Sequence, residues 1–311
     1  MTYFEFQQEL LTHLQKDFGE DYTLTITPVQ KNNQVVLRGL TIHRKGLNIS
    51  PAIYLESFYD AYQSGSDFSQ ITAQIKAAYI SAQPQENIDT GFFTDFSAVR
   101  PHICMKLIHY EKNEEFLKEI PHIRFLDLAV VFYYLFPITV GENATILIHQ
   151  NHLSYWNTDV QTLYDLAKEN SPKLLPYYLD DILTLLDPAS LIAIPDSETP
   201  PTLYVLTNSD KLFGASVILY PHLLESISKR MDCDFIILPS SIHEVLLIPD
   251  SSENKSLHYD AIIQEVNLTQ LSPEEILSDH AYYYQRNSDS ITDYKASHTH
   301  SPKPSMNNHT S

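Results

Sequence analysis

The pattern that most restricts the fold lies in residues 203–249, where short apolar runs with strand character surround one amphipathic helix. The predicted strands are 203–206, 216–219, 235–238 and 245–248. Pro221 begins the helix, which turns Leu223, Leu224, Ile227 and Met231 inward. Apolar runs of this length, bounded by turn residues, are typical of buried strands. The segment therefore predicts a buried α/β unit in which Ser-Ser-Ile-His lies between the last two strands.

The N-terminal part predicts the order α-β-β-α-α over residues 1–90. An apolar stripe marks a helix over 3–18 that ends at Gly19, and the alternating segments 22–29 and 35–42 form a hairpin. Ser50 and Pro51 have the residue types of a helix cap and first helical position, so they predict a helix that ends at Gly65. A second helix is predicted over about 68–81.

The middle of the chain predicts further strands and helices. Strands are expected over 124–135 and 144–149, a turn over 152–156, a helix capped by 157–159 and an amphipathic helix over 177–186. On that last helix Asp180 and Asp181 would lie on the solvated face. A Pro/Ser/Thr-rich linker, 188–201, follows.

The predicted fold class is α+β, with the N-terminal α-β-β-α-α part followed by a larger mixed-sheet α/β part. Four ranges describe the expected organisation: an N-terminal part (1–90), a central α/β part (100–187), a C-terminal α/β part packed with it (202–286) and a disordered tail (287–311). The tail is predicted from its composition of Ser, Asn, His, Thr, Lys and Pro.

Charge disfavours one class of partner. Acidic residues number 39 against 20 basic ones, which gives a formal net charge of −19. Such a surface repels phosphate backbones, so direct nucleic-acid binding is not expected. The charges are spread along the chain, which indicates general solubility, and an acidic nucleic-acid mimic stays as an alternative.

The two cysteines, Cys104 and Cys233, are far apart and lie in apolar surroundings. They form neither a disulfide framework nor a zinc site, and they fit a reducing compartment. The start of the chain lacks the basic and apolar regions of a secretory signal. The most apolar run, 125–138, is shorter than the roughly 20 residues that a membrane span needs. A cytoplasmic protein without membrane contact is predicted.

Glycine content excludes the common nucleotide-binding loops. The chain has only seven glycines, and the nearest pair is Gly39 and Gly46. Dinucleotide loops and P-loops need closely spaced glycines because the backbone must approach phosphate. No cofactor is therefore predicted.

Ser240, Ser241, His243 and Glu244 are the candidate catalytic residues. Two hydroxyls, an imidazole and a carboxylate follow the predicted strand 235–238, and a serine hydrolase could use such groups. The alternative is a turn whose hydroxyls and imidazole satisfy backbone groups. Spacing along the chain does not decide between the two, because geometry defines a nucleophile–base pair.

Other motifs are incomplete. His243-Glu244 begins a zinc-protease helix motif, but position 247 is Leu, and Gly214–Ser216 begins a nucleophile elbow that Ile218 interrupts. His298, His300 and His309 lie in the predicted tail, where no fixed geometry would hold a metal. No metal site is predicted, and Trp156 is expected to be a packing anchor.

Several stretches carry a resemblance: PHIRFLDLA (121–129), ATILI (144–148), AKEN (167–170), YVLTN (204–208), GAS (214–216), LPSSIHE (238–244) and LSD (277–279). Through them the chain resembles an uncharacterised bacterial domain-of-unknown-function family, from residue 1 to about 286. From about residue 121 the order of elements is also similar to the YtpQ proteins of Gram-positive bacteria. The resemblance implies a bacterial cytoplasmic origin and a shared fold, and it implies no activity.

The absence of a complete catalytic motif, together with 20 Tyr and 14 Phe, favours a non-enzymatic binding or regulatory protein whose partner is a protein. A serine hydrolase that uses Ser240 or Ser241 with His243 is the rival hypothesis.

Overall fold

A computed structural model describes residues 1–83, 87, 91–137, 144–181, 203–250 and 258–298. The chain divides into two compact units, Met1–Phe92 and Phe93–Ser311. Both units combine helices with sheets, so the predicted α+β class is confirmed. The predicted linker 188–201 lies outside the described residues.

The first unit packs three helices against a three-stranded antiparallel sheet of order β1-β2-β3. Its elements are α1 (Tyr3–Phe18), β1 (Tyr22–Gln30), β2 (Val36–Arg44), β3 (Ala52–Tyr54), α2 (Glu56–Gln63) and α3 (Phe68–Ala82). The apolar stripe of α1 supplies Phe6, Leu10 and Leu14 to the core. A reciprocal capping box between Thr2 and Glu5 fixes where that helix begins.

The second unit begins with a four-stranded antiparallel sheet in which β6 is central and buried along its whole length. Its strands are β4 (Ile103–His109), β5 (His122–Phe125), β6 (Leu128–Leu135) and β7 (Thr145–Leu147). The helices of this region are α4 (Phe96–Val99), α5 (Glu114–Leu117), α6 (Gln150–Trp156) and α7 (Val160–Leu174).

A six-stranded sheet of order β13-β12-β10-β11-β9-β8 forms the rest of the second unit. Its strands are β8 (Tyr177–Asp181), β9 (Tyr204–Asn208), β10 (Phe235–Pro239), β11 (Val245–Pro249), β12 (Tyr282–Gln285) and β13 (Ser290–Asp293). The helices here are α8 (Leu223–Met231), α9 (Tyr259–Thr269) and α10 (Tyr294–His298). Every strand pairing within the described residues is antiparallel, whereas a mixed sheet was predicted.

Three predicted elements are wrong in type. The helix expected to begin at Ser50 and Pro51 is strand β3, and α2 begins only at Glu56. The strand expected over 216–219 is part of a 3-10 helix, Gly214–Leu219, and the turn over 152–156 belongs to α6. In each case local propensity is too weak to resist the pairing or packing that neighbouring elements impose.

Two further differences concern β8 and the C-terminal end of the described chain. The amphipathic helix predicted over 177–186 is strand β8 as far as Asp181, because it pairs along its length with β9. Within the tail predicted to be disordered (287–311), the described residues form β13 and α10, because Ser290–Asp293 pairs with β12. Residues 182–186 and 299–311 lie outside the described residues.

Candidate functional site

The candidate catalytic residues form the loop of the hairpin between β10 and β11, where Pro239 pairs with Val245. Within this loop the Ser241 amide donates to the Glu244 carbonyl at 3.2 Å, and the His243 amide donates to Ser241 Oγ at 3.0 Å. The Ser241 hydroxyl therefore accepts a backbone hydrogen bond, which is what a serine in a tight turn does.

The imidazole of His243 contacts the loop that contains Lys211 and Phe213. Its Nδ1 lies 2.9 Å from the carbonyl oxygen of Lys211. A carbonyl only accepts, so this contact places the ring proton on Nδ1, and the longer 3.3 Å approach of the Phe213 amide to the same nitrogen is then not a hydrogen bond. Ser240 Oγ instead lies 3.5 Å from Glu244 Oε1, at the outer limit of a hydrogen bond.

The structure therefore brings the four residues into one loop without joining the imidazole to a serine hydroxyl. Among the hydrogen bonds of the described residues, none links the His243 ring to Ser240 or Ser241. A nucleophile needs its base within hydrogen-bond reach. The hydrolase hypothesis stays a prediction that this geometry does not favour.

A second loop, residues 208–213, packs beneath the hairpin and holds an unusual backbone. Lys211 and Phe213 both have left-handed conformations, with φ of 53° and 51°. Such a conformation costs about 1–3 kcal/mol at a non-glycine residue and persists only where its surroundings enforce it. The side chain of Asn208 supplies that enforcement, since its Oδ1 accepts from the amides of Asp210 and Leu212 at 3.2 and 3.0 Å.

Gly214 allows the two loops to approach each other. Thr207 Oγ1 donates to the His243 carbonyl at 2.7 Å across the position where a Cβ of residue 214 would stand. That Cβ would collide with Thr207 Oγ1 and with the His243 carbonyl oxygen, and would lie 2.9 Å from the Asn208 nitrogen. The sequence indicated Gly214 only as part of a failed nucleophile elbow, and its role is close packing.

The ring of Phe213 is the centre of a stack on this surface. Lys106 Nζ lies 4.3 Å from the ring centroid, and the His243 ring stacks at 5.7 Å with 18° between the planes. Tyr133 meets the same ring edge-on at 5.3 Å. The cation–π contact and the stack hold Phe213 in one orientation.

Beneath Phe213 lies a small buried group of hydroxyl and thiol side chains. Burial raises the pKa of Tyr133 well above its usual value and raises that of the Cys104 thiol to about 12. Tyr220 donates its hydroxyl to the Leu175 carbonyl at 3.0 Å, whereas the Tyr133 hydroxyl has no hydrogen-bond partner among the described residues. All three groups are protonated at neutral pH, so Cys104 is a packing residue and not a reactive thiolate.

The start of β8 completes this end of the six-stranded sheet. Tyr177 and Tyr178 pair with Asn208 and Thr207 of β9, so they lie directly beside the strained loop. Their exposed fractions are 46% and 41%, which is high for tyrosines of a sheet. We define the end-surface as the hairpin loop 240–244, the loop 208–213 and residues 176–178.

A separate polar network was not predicted from the sequence. The Asp127 carboxylate, in the turn between β5 and β6, accepts hydroxyl hydrogen bonds from Ser278 at 2.6 Å and from Tyr282 at 2.7 Å. Asn267 donates to the Ser278 carbonyl and to Asp279 Oδ1, at 2.9 Å each. Ser278 is 0% exposed, so it cannot reach a substrate, and the network joins the two sheets of the second unit.

His109 lies beside this network and makes stability depend on pH. Burial lowers the pKa of His109, and the charge of Lys112 lowers it further, against the opposing effect of Asp127, Asp279 and Glu111. The unfolded chain titrates near 6.5 and binds the proton more readily than the folded chain. Stability contributed by neutral His109 is therefore present above that pH and is lost as the pH falls.

We expect the free energy of unfolding, measured by urea denaturation, to fall between pH 7 and pH 5 by more in the wild type than in His109→Asn. Asparagine keeps an acceptor for the Lys112 amide, which donates to His109 Nδ1 at 3.2 Å, and it does not titrate. Substitution of the exposed His222 by Asn serves as the control for loss of a histidine elsewhere in the second unit. Identical profiles for wild type and His109→Asn would contradict the assignment.

A pocket of about 370 Å³ lies beside α9 and α10. Asp260 on its wall is paired with Lys295, since Lys295 Nζ lies 2.7 Å from Asp260 Oδ2. The Ala281 amide donates to the other carboxylate oxygen of Asp260 at 2.9 Å. The charge of this acid is therefore already balanced within the chain.

Trp156 is buried between Phe96 and His152 and donates Nε1–H to the Phe93 carbonyl at 2.8 Å, so it is a packing anchor. Asp180 and Asp181 lie on β8 and not on a helix. His298 ends α10, while His300 and His309 lie outside the described residues.

Within the part of the chain that the structure describes, no three His, Cys, Asp or Glu side chains converge as a metal-binding group. Over the same residues, no helix combines the length and apolar composition that crossing a bilayer requires.

Comparison with known proteins places the chain in a family. No curated protein and no solved structure matches it significantly. A protein family described as a family of unknown function (DUF5688) matches residues 3–286. Because this match covers nearly the whole chain, the protein belongs to the DUF5688 family of unknown function.

Proposed function

We propose that this protein is a non-enzymatic binding protein of the bacterial cytoplasm, and that it recognises a protein partner through the end-surface. The observation that carries the proposal is the pair of exposed tyrosines, Tyr177 and Tyr178, held beside a strained and tightly bonded loop. Tyrosine is enriched at protein interfaces because one side chain offers apolar area and a polar tip.

Rigidity of the surface supports a binding role. The loop 208–213 contains two residues in the strained left-handed conformation. Contacts of Asn208, Thr207 and Gly214 hold the loop in this one arrangement. A rigid surface loses little conformational entropy when a partner binds, so more of the contact energy appears as affinity. Strained and over-determined loops are found at ligand-binding and switch regions.

The chemistry of the loop supports binding over catalysis. The His243 ring contacts the Lys211 carbonyl through Nδ1, the Ser241 hydroxyl accepts from a backbone amide, and no hydrogen bond among the described residues joins the ring to either serine. The low cysteine count supports a reducing compartment such as the cytoplasm.

Site-specific cross-linking tests the binding role. With a photo-reactive phenylalanine in place of Tyr178, we expect irradiation in the native cytosol to yield one or a few discrete cross-linked protein species. The same group in place of Leu268 is the matched control, because that residue is 86% exposed on α9 and lies outside the end-surface. Equal cross-linking at both positions, or none at position 178, would contradict the proposal.

A separate experiment tests whether the protein is a serine hydrolase. A labelled fluorophosphonate should leave Ser240 and Ser241 unmodified, because neither hydroxyl is hydrogen-bonded to the His243 ring. Labelling of the wild type that disappears in Ser240→Ala or Ser241→Ala would establish the hydrolase instead.

A further inference from the structure

Strand β8 is the terminal strand of the six-stranded sheet, within the residues that the structure describes. Its neighbour on one side is β9, and the pairing runs antiparallel from Tyr177 opposite Asn208 to Asp181 opposite Tyr204. The edge strand of a sheet presents a row of backbone donors and acceptors that another strand can pair with. The hydrogen-bond pattern between β8 and β9 decides which residues of β8 present these backbone groups.

Antiparallel ladders alternate between residues that bond to the neighbour and residues that face away. The Ser209 amide donates to the Pro176 carbonyl at 2.8 Å, so position 176 faces β9. By alternation Tyr178 and Asp180 also bond to β9, whereas the backbone groups of Tyr177, Leu179 and Asp181 face outward. The Asp181 amide fits this assignment, because it donates to the side chain of Asp180 at 2.9 Å.

The outward backbone groups of Tyr177 and Leu179 make no hydrogen bond to the described residues. They are two residues apart, which is the spacing at which an added strand forms successive backbone hydrogen bonds. Tyr177 and Tyr178 would place aromatic side chains on both faces of such a strand, because successive side chains alternate. The edge therefore offers backbone pairing and side-chain contacts together.

The net charge of the chain indicates what kind of partner strand can add to the edge of β8. The whole chain carries a net charge of −19. A second copy would bring an equal negative charge to the same edge, which opposes self-pairing. A segment rich in Lys or Arg is attracted by the same field.

We propose that β8 is a docking edge to which an extended, basic segment of a partner protein adds as a seventh strand. This inference rests on the proposed binding function and names its partner chemistry and mode. Main-chain hydrogen bonds to Tyr177 and Leu179 supply affinity, and the negative charge of the chain together with the two tyrosines supplies selectivity.

Three synthetic peptides of equal length test the proposal on the full chain. The first alternates Lys and Val, the second alternates Glu and Val, and the third is the Lys peptide with every backbone amide N-methylated. Fluorescence anisotropy should show binding of the Lys peptide and at least tenfold weaker binding of the other two. Binding of the methylated peptide as tight as that of the parent would overturn the proposal, because charge alone would then suffice.

The chain itself supplies a second, matched comparison. Leu179→Pro removes an outward amide while leaving the bonds of Tyr178 and Asp180 to β9, and Pro is tolerated on an edge strand. We expect Leu179→Pro to weaken binding of the Lys peptide at least tenfold, whereas Leu179→Val should bind the peptide as tightly as the wild type does. Thermal unfolding checks that both variants are folded. If Leu179→Pro does not fold, the comparison of the Lys peptide with its methylated form on the wild type still tests the proposal.

Amide hydrogen exchange distinguishes the occupants. The amides of Tyr177 and Leu179 should exchange fast in the free chain and slow on addition of the Lys peptide. Slow exchange before any peptide is added would mean that the chain covers its own edge, and concentration-dependent protection would mean a second copy; either result overturns the proposal. If cross-linking at position 178 succeeds while the Lys peptide fails, only the strand-addition mode is wrong; if cross-linking also fails, the binding function is wrong.

Discussion

Asp127→Ala is expected to lower the free energy of unfolding of the second unit by about 3–5 kcal/mol at pH 7, since each hydrogen bond to a charged group contributes about 1.5–3 kcal/mol. The carboxylate accepts from Ser278 at 2.6 Å and from Tyr282 at 2.7 Å, and both of these residues are buried. Its removal leaves two buried hydroxyls without their acceptor. Urea denaturation followed by fluorescence measures the change.

Two comparisons make this result specific. Tyr282→Phe removes one donor together with its need for a partner, so it should cost about 1–2 kcal/mol, less than the loss of the shared acceptor. Glu111→Ala removes an exposed acid near the same network and should have an effect within about 0.5 kcal/mol. A cost for Asp127→Ala no larger than that for Tyr282→Phe would show that the carboxylate does not hold the two sheets together.

Gly214→Ala should be the second severe substitution, with a cost of about 3 kcal/mol or more, at the upper end of what overpacking of a core produces. The added Cβ would collide with Thr207 Oγ1 and with the backbone carbonyl of His243, and the carbonyl cannot move without disturbing the hairpin loop. Thr207 would also lose its 2.7 Å hydrogen bond to that carbonyl.

Gly39→Ala is the matched control. Its Cβ would meet the Cγ2 of the Val29 side chain at 2.9 Å, and a side-chain terminus can move where a backbone carbonyl cannot. We therefore expect a smaller loss, of about 1 kcal/mol. Similar costs at the two positions, measured by thermal and urea unfolding, would contradict the role assigned to Gly214.

Gly214→Ala should also affect the proposed binding function, because Gly214 packs against the loops of the end-surface. Gly214→Ala changes the packing of the loop 208–213 and the hairpin loop, which lie beside Tyr177 and Tyr178. A variant that stays folded should therefore also lose cross-linking at position 178. Loss of stability with unchanged cross-linking would separate the loop from recognition.

Local patterns in the sequence were enough for elements with strong end signals. Helix α1 follows from its apolar stripe, with Gly19 at its end in a positive-φ conformation of 79°, and the hairpin of β1 and β2 follows from alternation. The strands β10 and β11 with Ser-Ser-Ile-His between them follow from apolar runs that flank turn residues. In these segments local preference and tertiary packing agree.

Other segments have local patterns that fit two structures. Residues 177–181 combine tyrosines, which favour strands, with a spacing that also fits a helix, and only pairing with β9 decides for β8. Ser290–Asp293 is polar and reads as part of a tail, yet it pairs with Tyr282–Gln285. These strands form because neighbouring strands pair with them, and amino-acid composition does not show which strands will be neighbours.

The sequence by itself determined the α+β class, the hairpin loop of Ser240–Glu244 and the absence of glycine-rich phosphate loops, because each depends on neighbouring residues. Tertiary structure decided the Asp127–Ser278 contact across 151 positions, the direction of the His243 ring and the outward edge of β8. These features depend on which distant strands lie side by side. Pairing between distant strands is set by the packing of the whole second unit, and a short stretch of sequence does not contain it.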